Sequence, residues 1–457
     1  MYLYFKNKSF FLLIILFYFF IYIIINDMYY LKKIIDIKKK YLVAYSGGLD
    51  STVLLHKLFL LRESGFVRFI RAVYVNHGIS INADDWEYHC IQQCKNWNIP
   101  LVLLNISLNG KGNLEAELRY KRYSIMCKIL IKEEILLTAH HLDDQCESVL
   151  LALKRGSGLS GLSAIREKMY FNNYHLILRP FLFITRKELK FWAEFYNLVW
   201  VEDFSNNDIR YDRNFLRHKV IPILLKRWPF FSRSCFISAK HCKNEKYLLN
   251  YFIDLELKKY LFYDGSLNIS SFFHMDFILC NAILKRWIEY HKIKFFSRSF
   301  LNKLYNEVIM SSLDSNPKLK IFKYEVRRYR NIIYLIKIFP SLKNLILLWN
   351  KPWNICYLPY SSGILLVDSK GFSLRKPNYD EEVNIRFEVY GEYYIFGRKH
   401  KRKIKKLWQE FNIPPWMRNR IPLIFYNNMF ISALGVFVTI DGYCNINCWK
   451  ISMKLNK

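Results

Sequence analysis

At 457 residues, 52% of them hydrophobic, the chain is long enough for two or three domains with their own cores, which excludes a single small module. A formal charge of +31 points to a polyanionic partner, nucleic acid before an acidic membrane surface; 36 Phe, 33 Tyr and abundant Ile, Asn and Lys indicate that A+T-rich coding supplies part of it. Ten scattered cysteines with no Cys-x-x-Cys argue against a disulfide scaffold, a zinc knuckle or a redox pair, and suit a reducing compartment.

Phe10 to Ile25 form an unbroken apolar run that stops at Asn26-Asp27, slightly short for a spanning helix and followed by no small-residue cleavage site. Residues 1–30 are read as an adventitious extension, with no stable membrane association expected. A membrane anchor, or a helix lying on the protein, is the other reading.

From residue 31 to 229, short apolar runs alternate with helical patterns, so the fold class is α/β, a parallel sheet with helices on both faces. The strands are expected at Tyr41–Tyr45, Phe69–Val75, Pro100–Ile106, Glu134–Ala139 and His175–Leu178. Polar residues cluster after three of them, at 46–51, 76–78 and 140–144, where ligands bind in open α/β sheets.

The first cluster is Ser46-Gly47-Gly48-Leu49-Asp50-Ser51, a tight turn between a buried strand and a helix. Two glycines allow close backbone approach, two hydroxyls donate, and the amides opening the helix face an anion. Asp50 beside phosphate makes sense when Mg2+ bridges the two, so the expected ligand is Mg-ATP, with Asp50 as the metal residue. The lysine of the Gly-x-x-x-x-Gly-Lys-Ser/Thr motif is missing, which favours a grip on pyrophosphate over one on a terminal phosphate.

Along the chain, Asn113 to Tyr123 reads as a charged helix with Glu115 and Arg119 four apart. In His140-His-Leu-Asp-Asp-Gln-Cys-Glu147, Asp143 and Asp144 share a helix face with Glu147, while Cys146, Val149, Leu150 and Leu153 occupy another. Gly156 to Gly161 spells Gly-x-Gly-x-x-Gly but follows a helix, so it is read as a loop beside the site, a lid or a plain turn. Thr185 with Glu188 is a capping box for the helix to Asn197, and Arg210, Arg213 and Arg217 line up at near-helical spacing, fit for phosphates or for an exposed basic face.

Beyond Pro229 the pattern changes. Residues 230–345 are expected to form a helical domain, with helices at Ser238–Leu257 and Phe272–Tyr290, and residues 346–457 a small α+β domain. The latter carries seven Lys or Arg between Arg398 and Lys406, Ile413-Pro-Pro-Trp-Met-Arg418, and strands at Leu423–Tyr426 and Phe430–Val438. That basic run is the densest in the chain and suits a phosphate backbone.

Ser-Gly-Gly-x-Asp-Ser resembles the PP-loop of the ATP pyrophosphatase superfamily. Together with Val75-Asn-His-Gly78, Glu115-Ala-Glu-Leu-Arg119, His140-His-Leu-Asp-Asp-Gln145, Arg155-Gly-Ser-Gly158, Tyr211-Asp-Arg-Asn214 and Ile413-Pro-Pro-Trp-Met-Arg418, it makes everything after about Leu31 similar to the tRNA(Ile)-lysidine synthetases. The resemblance implies a cytoplasmic ligase that uses ATP to join free lysine to the wobble cytidine of tRNA(Ile) with anticodon CAU, through an adenylated cytidine. It implies a PP-loop domain followed by two tRNA-binding domains; a homodimer is a further expectation. Ser46 to Ser51 would hold the phosphates, Arg119 and Arg213 would assist adenylation, and Asp143, Asp144, Glu147 and His140 would bind lysine and manage its proton. The closest rival is a PP-loop tRNA thiolase, which the missing Cys-x-x-Cys disfavours.

Overall fold

Alternation of β-rich runs with amphipathic segments sets the first half of the chain. In the computed structural model, which describes residues 28–76, 83–106, 114–172, 174–203, 207–293, 297–312, 315–446 and 448–454, six strands form one sheet. They are β1 (Lys40–Ala44), β2 (Ile70–Asn76), β3 (Leu101–Asn105), β4 (Glu134–Leu137), β5 (Lys168–Phe171) and β6 (His175–Leu178), in spatial order β3-β2-β1-β4-β6-β5. The order reverses at β1, where β2 pairs on one side and β4 on the other, both parallel. That topological switch is where an open α/β sheet leaves a crevice at its carboxyl ends.

Tyr41, Leu42 and Val43 are all buried because helices cover both faces of β1, so the strand reads as a continuous apolar run. On one face α1 (Leu49–Glu63), α2 (Ala83–Asn96) and the later α6 (Arg186–Phe195) pack Val53, Leu54, Leu58, Cys90, Cys94, Leu189 and Trp192 against Tyr41 and Val43. On the other, α3 (Leu114–Lys128) places Tyr123, Met126 and Cys127 against Leu42, Leu136 and Ile177. Cys90 and Cys94 are core residues, as their helical spacing with Trp86 and Trp97 predicts.

Two features depart from the sequence expectation. The edge strand β5 is additional to the expected set; it runs antiparallel to β6, so the sheet is mixed at that edge. Leu153, expected on the apolar face of α4 (Leu142–Lys154), is 58% exposed, because that face packs only through Cys146, Val149 and Leu150. After α4, Gly156 turns the chain with φ +60° into the one-turn helix α5 (Leu159–Leu162).

The chain divides into two compact units, 1–251 and 252–457, and the helix Phe231–Tyr260 runs through the division. Within the second unit, the helix Phe277–Tyr290 buries Cys280, Ile283, Leu284 and Trp287 against a four-stranded antiparallel sheet made of Leu267–Asn268, Ile332–Lys337, Tyr324–Tyr329 and Lys318–Ile321. The sequence pattern points to helices alone in this region and does not reveal the sheet, whose strands are short and mix basic residues among the apolar ones.

Further on, a five-stranded antiparallel sheet runs in the order Ile346–Leu348, Val383–Arg386, Leu423–Tyr426, Met429–Ala433, Phe437–Val438. The expected single strand to Val438 is broken at Gly435, whose φ is +76°. The unit also holds a three-stranded sheet of Cys356–Leu358, Gly363–Leu374 and Trp449–Lys454 and a two-stranded one of Glu392–Tyr393 and Arg402–Lys403. No helix among the described residues is long and apolar enough to cross a membrane; the run Phe10–Ile25 lies outside them.

Candidate active site

The turn after β1 is built for close approach. Gly47 has φ +75°, and a Cβ there would sit 3.0 Å from both Cys90 Sγ and Val201 Cγ2, so only glycine fits. Gly48 is the N-cap of α1, and the amides of Leu49, Asp50 and Ser51 follow with no acceptor inside the helix. Thr52 Oγ1 donates to the carbonyls of Gly47 and Gly48 at 3.2 and 2.9 Å, and Val201 N–H donates to Gly47 O at 2.9 Å. The carbonyl side of the turn is thereby occupied from within. Ser46 and Ser51 Oγ lie 3.1 Å apart, Ser51 Oγ donating to Gly48 O, so their hydroxyls share one edge of the cradle.

Asp50, at the second position of α1, connects this cradle to the end of β4. Its Oδ2 is 3.6 Å from His141 Nε2, while its Oδ1 is buried without a hydrogen-bond partner. A buried, unpartnered carboxylate oxygen beside an anion cradle fits a cation held jointly with phosphate. No group of three or more His, Cys, Asp or Glu able to hold a metal occurs among the described residues, so Asp50 and phosphate oxygens are the donor set Mg2+ would find.

His141 is the hinge of the site, and the sequence does not single it out as catalytic. It caps α4: its Nδ1 accepts Asp143 N–H at 3.2 Å, and its own N–H donates to Asp144 Oδ2 at 3.0 Å, a reciprocal capping box. Its Nε2 then faces Asp50 and Asp144, both at 3.6 Å. Burial works against a charge on the ring, but Asp144, Asp50 and Asp143 outweigh it and raise its pKa to about 9.

His140 turns the other way. Its Nδ1 hydrogen-bonds Thr138 Oγ1 at 2.9 Å, and burial, with Arg179, Arg119 and Arg213 nearby, holds its pKa well below the usual value despite Asp144. Adjacent histidines thus carry opposite charge preferences.

Asp144 and Glu147 do come together, one turn apart on α4, and they meet arginines. Arg213, in the short helix Asp212–Phe215, reaches Glu147 Oε2 at 2.6 Å and Asp144 Oδ1 at 3.1 Å. Arg217, one turn on in the π-helical stretch Leu216–Val220, reaches Glu147 Oε1 at 2.7 Å and Asp144 Oδ1 at 3.3 Å. Glu147 has no exposed side-chain surface, so both its oxygens are spent on guanidinium groups. Burial alone would raise the Asp144 pKa; His141, His140 and Arg213 reverse that and keep it strongly depressed.

Asp143 is drawn to other elements: its Oδ2 accepts Arg186 N–H at the start of α6, and its Oδ1 accepts Ser232 Oγ–H. Arg119 sits 5.7 Å above the Tyr123 ring, and Arg210 pairs outward with Asp208 in solvent. His77, Gly78 and the Glu115 side chain lie outside the described residues. Arg217, expected with Arg210 and Arg213 as a row fit for phosphates or an exposed basic face, instead joins Arg213 on the carboxylates of Asp144 and Glu147.

A glycine cradle at the switch point of a parallel sheet, with an acid in the first turn of the helix, defines a PP-loop nucleotide-binding domain, and a model of that description, "PP-loop domain", matches residues 25–224. Models of a "TilS substrate binding domain" and a "TilS substrate C-terminal domain" match residues 267–334 and 383–454. A protein of Buchnera aphidicola from Schizaphis graminum named tRNA(Ile)-lysidine synthase is 45% identical over 92% of this chain and 96% of its own length. Proteins of that name from Buchnera aphidicola of Acyrthosiphon pisum and from Enterobacter sp. strain 638 are 47% and 44% identical, over 88% and 89% of this chain and 91% and 94% of theirs. The chain belongs to the tRNA(Ile)-lysidine synthase family.

Proposed function

We propose that this chain, acting in the cytoplasm, uses Mg-ATP to attach lysine to the wobble cytidine of tRNA(Ile) with anticodon CAU. The supporting observation is that Asp50 of the cradle and the α4 residues meet at His141, at 3.6 Å, in one crevice.

Cytosine O2 is a poor leaving group, so it is first converted to an ester: O2 attacks the α-phosphorus of ATP and the bond to pyrophosphate breaks. The amides of Leu49 to Ser51 and the hydroxyls of Ser46 and Ser51 bind the departing phosphates, a task for preorganised donors. Mg2+, when bound, neutralises phosphate charge; Asp50 would hold it, and His141 fixes the Asp50 carboxylate. The lysine ε-amine then attacks C2, and AMP leaves with the O2 electrons.

That amine is an ammonium at neutral pH, with a reference pKa of about 10.4, and must lose a proton before it attacks. Asp144, which keeps partial access at 13% exposure, is the carboxylate that meets the ammonium, and neutral His140 beside it accepts the proton the amine gives up. Fully covered Glu147 acts through Arg213 and Arg217, which it holds in place. Asp143 ties α4 to α6 and orients rather than reacts.

The test is to mix purified protein, tRNA(Ile) of anticodon CAU, radiolabelled lysine and Mg-ATP. ATP-dependent lysine label in the tRNA is expected. Label from a sulfur donor instead would make the chain a thiolase, and tRNA binding with neither product a passive binder.

A further inference from the structure

A pair of thiols joins the acid-bearing helix α4 to the helix Phe231–Tyr260, and the reaction above leaves both unused. Cys146 precedes Glu147 on α4, and its Sγ–H donates to Cys235 Sγ at 3.7 Å, across 89 residues of sequence. Three residues earlier on each helix, Ser232 Oγ–H donates to Asp143 Oδ1 at 3.3 Å. Two contacts one turn apart on both helices fix their register, so the fold itself brings the sulfurs together. The missing Cys-x-x-Cys has no bearing on a pair assembled by tertiary packing.

Val149, Ile221 and Ala239 are buried with the two cysteines. Cys146 is fully covered, while Cys235 keeps 7% exposure, so a small oxidant meets Cys235 first. The same sulfur is the better nucleophile. Accepting the Cys146 hydrogen bond favours its thiolate and lowers its pKa, whereas donating that bond, and then burial, raise Cys146. An attacking thiolate next to a resolving thiol is the arrangement of a reversible thiol sensor.

We propose that Cys146 and Cys235 form a peroxide-sensitive modification site, whose oxidation to a disulfide arrests catalysis by drawing α4 out of place. The Cys235 thiolate attacks hydrogen peroxide: an S–O bond forms, the O–O bond breaks, and the hydroxide released takes up the Cys235 proton and leaves as water. The Cys146 sulfur then attacks the sulfenic acid; the S–S bond forms, the S–O bond breaks, and hydroxide departs with the Cys146 proton as a second water. The thiol pair loses two electrons and one peroxide gains them. A disulfide holds its sulfurs at about 2.05 Å, so they close by roughly 1.6 Å, and a close-packed core passes such a shift to its backbone. Asp144 and Glu147 ride on that backbone. A misplacement of about 1 Å can cost about 100-fold in rate.

The test treats the purified full-length protein with hydrogen peroxide and reads the cross-link by peptide mass. A Cys146–Cys235 disulfide, two hydrogens lighter than the paired thiols, is expected, with a loss of lysine ligation of at least about 10-fold that dithiothreitol restores. Cys235→Ser should keep its basal rate and become insensitive to peroxide. Cys235→Ala, with its melting temperature as a check on folding, should behave alike.

Absence of that cross-link, a cross-link that leaves ligation unchanged, or an equal loss of ligation in Cys235→Ser would overturn the proposal. It rests on the ligase reading only through the activity readout: failure to ligate lysine before peroxide is added would overturn that reading, while the mass still decides the site.

Discussion

The two units put their polarity to different uses. In the first, polar groups converge: Asp50, His140, His141, Asp144, Glu147, Arg213 and Arg217 meet at the ends of parallel strands, and buried atoms such as Asp50 Oδ1 and Arg179 Nε have no partner. In the second, a groove of about 730 Å³ is lined by Trp353, Ile355, Leu366, Val367, Trp449 and Lys376, with no converging acids or histidines. Its charges are mostly spread and solvated, as with Lys399, Lys401, Arg402, Lys403, Lys405 and Lys406, or locally paired, as Arg398 is with Glu410; Arg328 is buried but spends its guanidinium on the carbonyls of Ile309, Ser311 and Arg330. Concavity alone does not mark a reactive site; unpartnered and strongly biased polar groups do.

The contrast is easiest to break at Asp50. Asp50→Ala should lower the rate of pyrophosphate release about 1,000-fold, an effect of the size seen when preorganised charge stabilisation is removed, with tRNA affinity within about twofold of wild type. Equal loss of both would mean that the two units do not divide chemistry from binding.

Next is the buried clamp. Arg213→Ala leaves Glu147 Oε2 without its guanidinium in a site with no solvent access, and should destabilise the first unit by about 3 kcal/mol, read as a lowered urea midpoint. A change under about 0.5 kcal/mol would make the pairing a surface feature.

A third test uses pH. His56, buried on α1 and accepting Trp192 Nε1–H at 3.1 Å, has its pKa lowered to about 4, by burial first and then by Lys57. The folded state therefore binds fewer protons than the unfolded one between about pH 6.5 and 4. Stability is complete above that window and falls through it by up to about 3 kcal/mol. Denaturation at pH 7.5 and 5 should show a slope that His56→Gln flattens. His141 has the opposite sign: its folded value of about 9 lies above the unfolded one, so its contribution is full below about pH 6.5 and fades as pH rises through 9.

The smallest effects belong to the basic run. Lys405→Ala or Lys406→Ala should weaken tRNA binding only a few-fold, with the salt-dependence slope reduced by about 1 for each phosphate no longer neutralised, and should leave AMP transfer at saturating tRNA unaffected.

Much of the first unit is legible in the sequence because its local signals agree. Strand runs at Tyr41, Ile70 and Leu101, glycines at 47 and 48, and the Thr185–Glu188 capping box, seen with Thr185 Oγ1 accepting Glu188 N–H, each fix a short stretch of backbone. The site's acids and Arg213 are legible by residue type. Their pairing is not: Arg213 and Glu147 are 66 residues apart, and nothing in either neighbourhood says which face of the short helix meets α4.

The roles of His140 and His141 are hard to separate for a similar reason. Neighbours in sequence point in opposite directions at a strand end, and only the cap geometry decides which reaches Asp50. In the second unit, the strands at 318–337 carry Lys and Arg among their apolar residues, which hides a sheet that buries only one face.

The most direct measurement is transfer of label from [α-32P]ATP to tRNA(Ile) of anticodon CAU in the absence of lysine, comparing wild type with Asp50→Ala and Glu147→Gln. A shared crevice that adenylates before it ligates should give label at the wobble cytidine in the wild type, released as AMP when lysine is added, and none with Asp50→Ala. Label that forms equally well with Asp50→Ala, or that lands elsewhere on the tRNA, would contradict it.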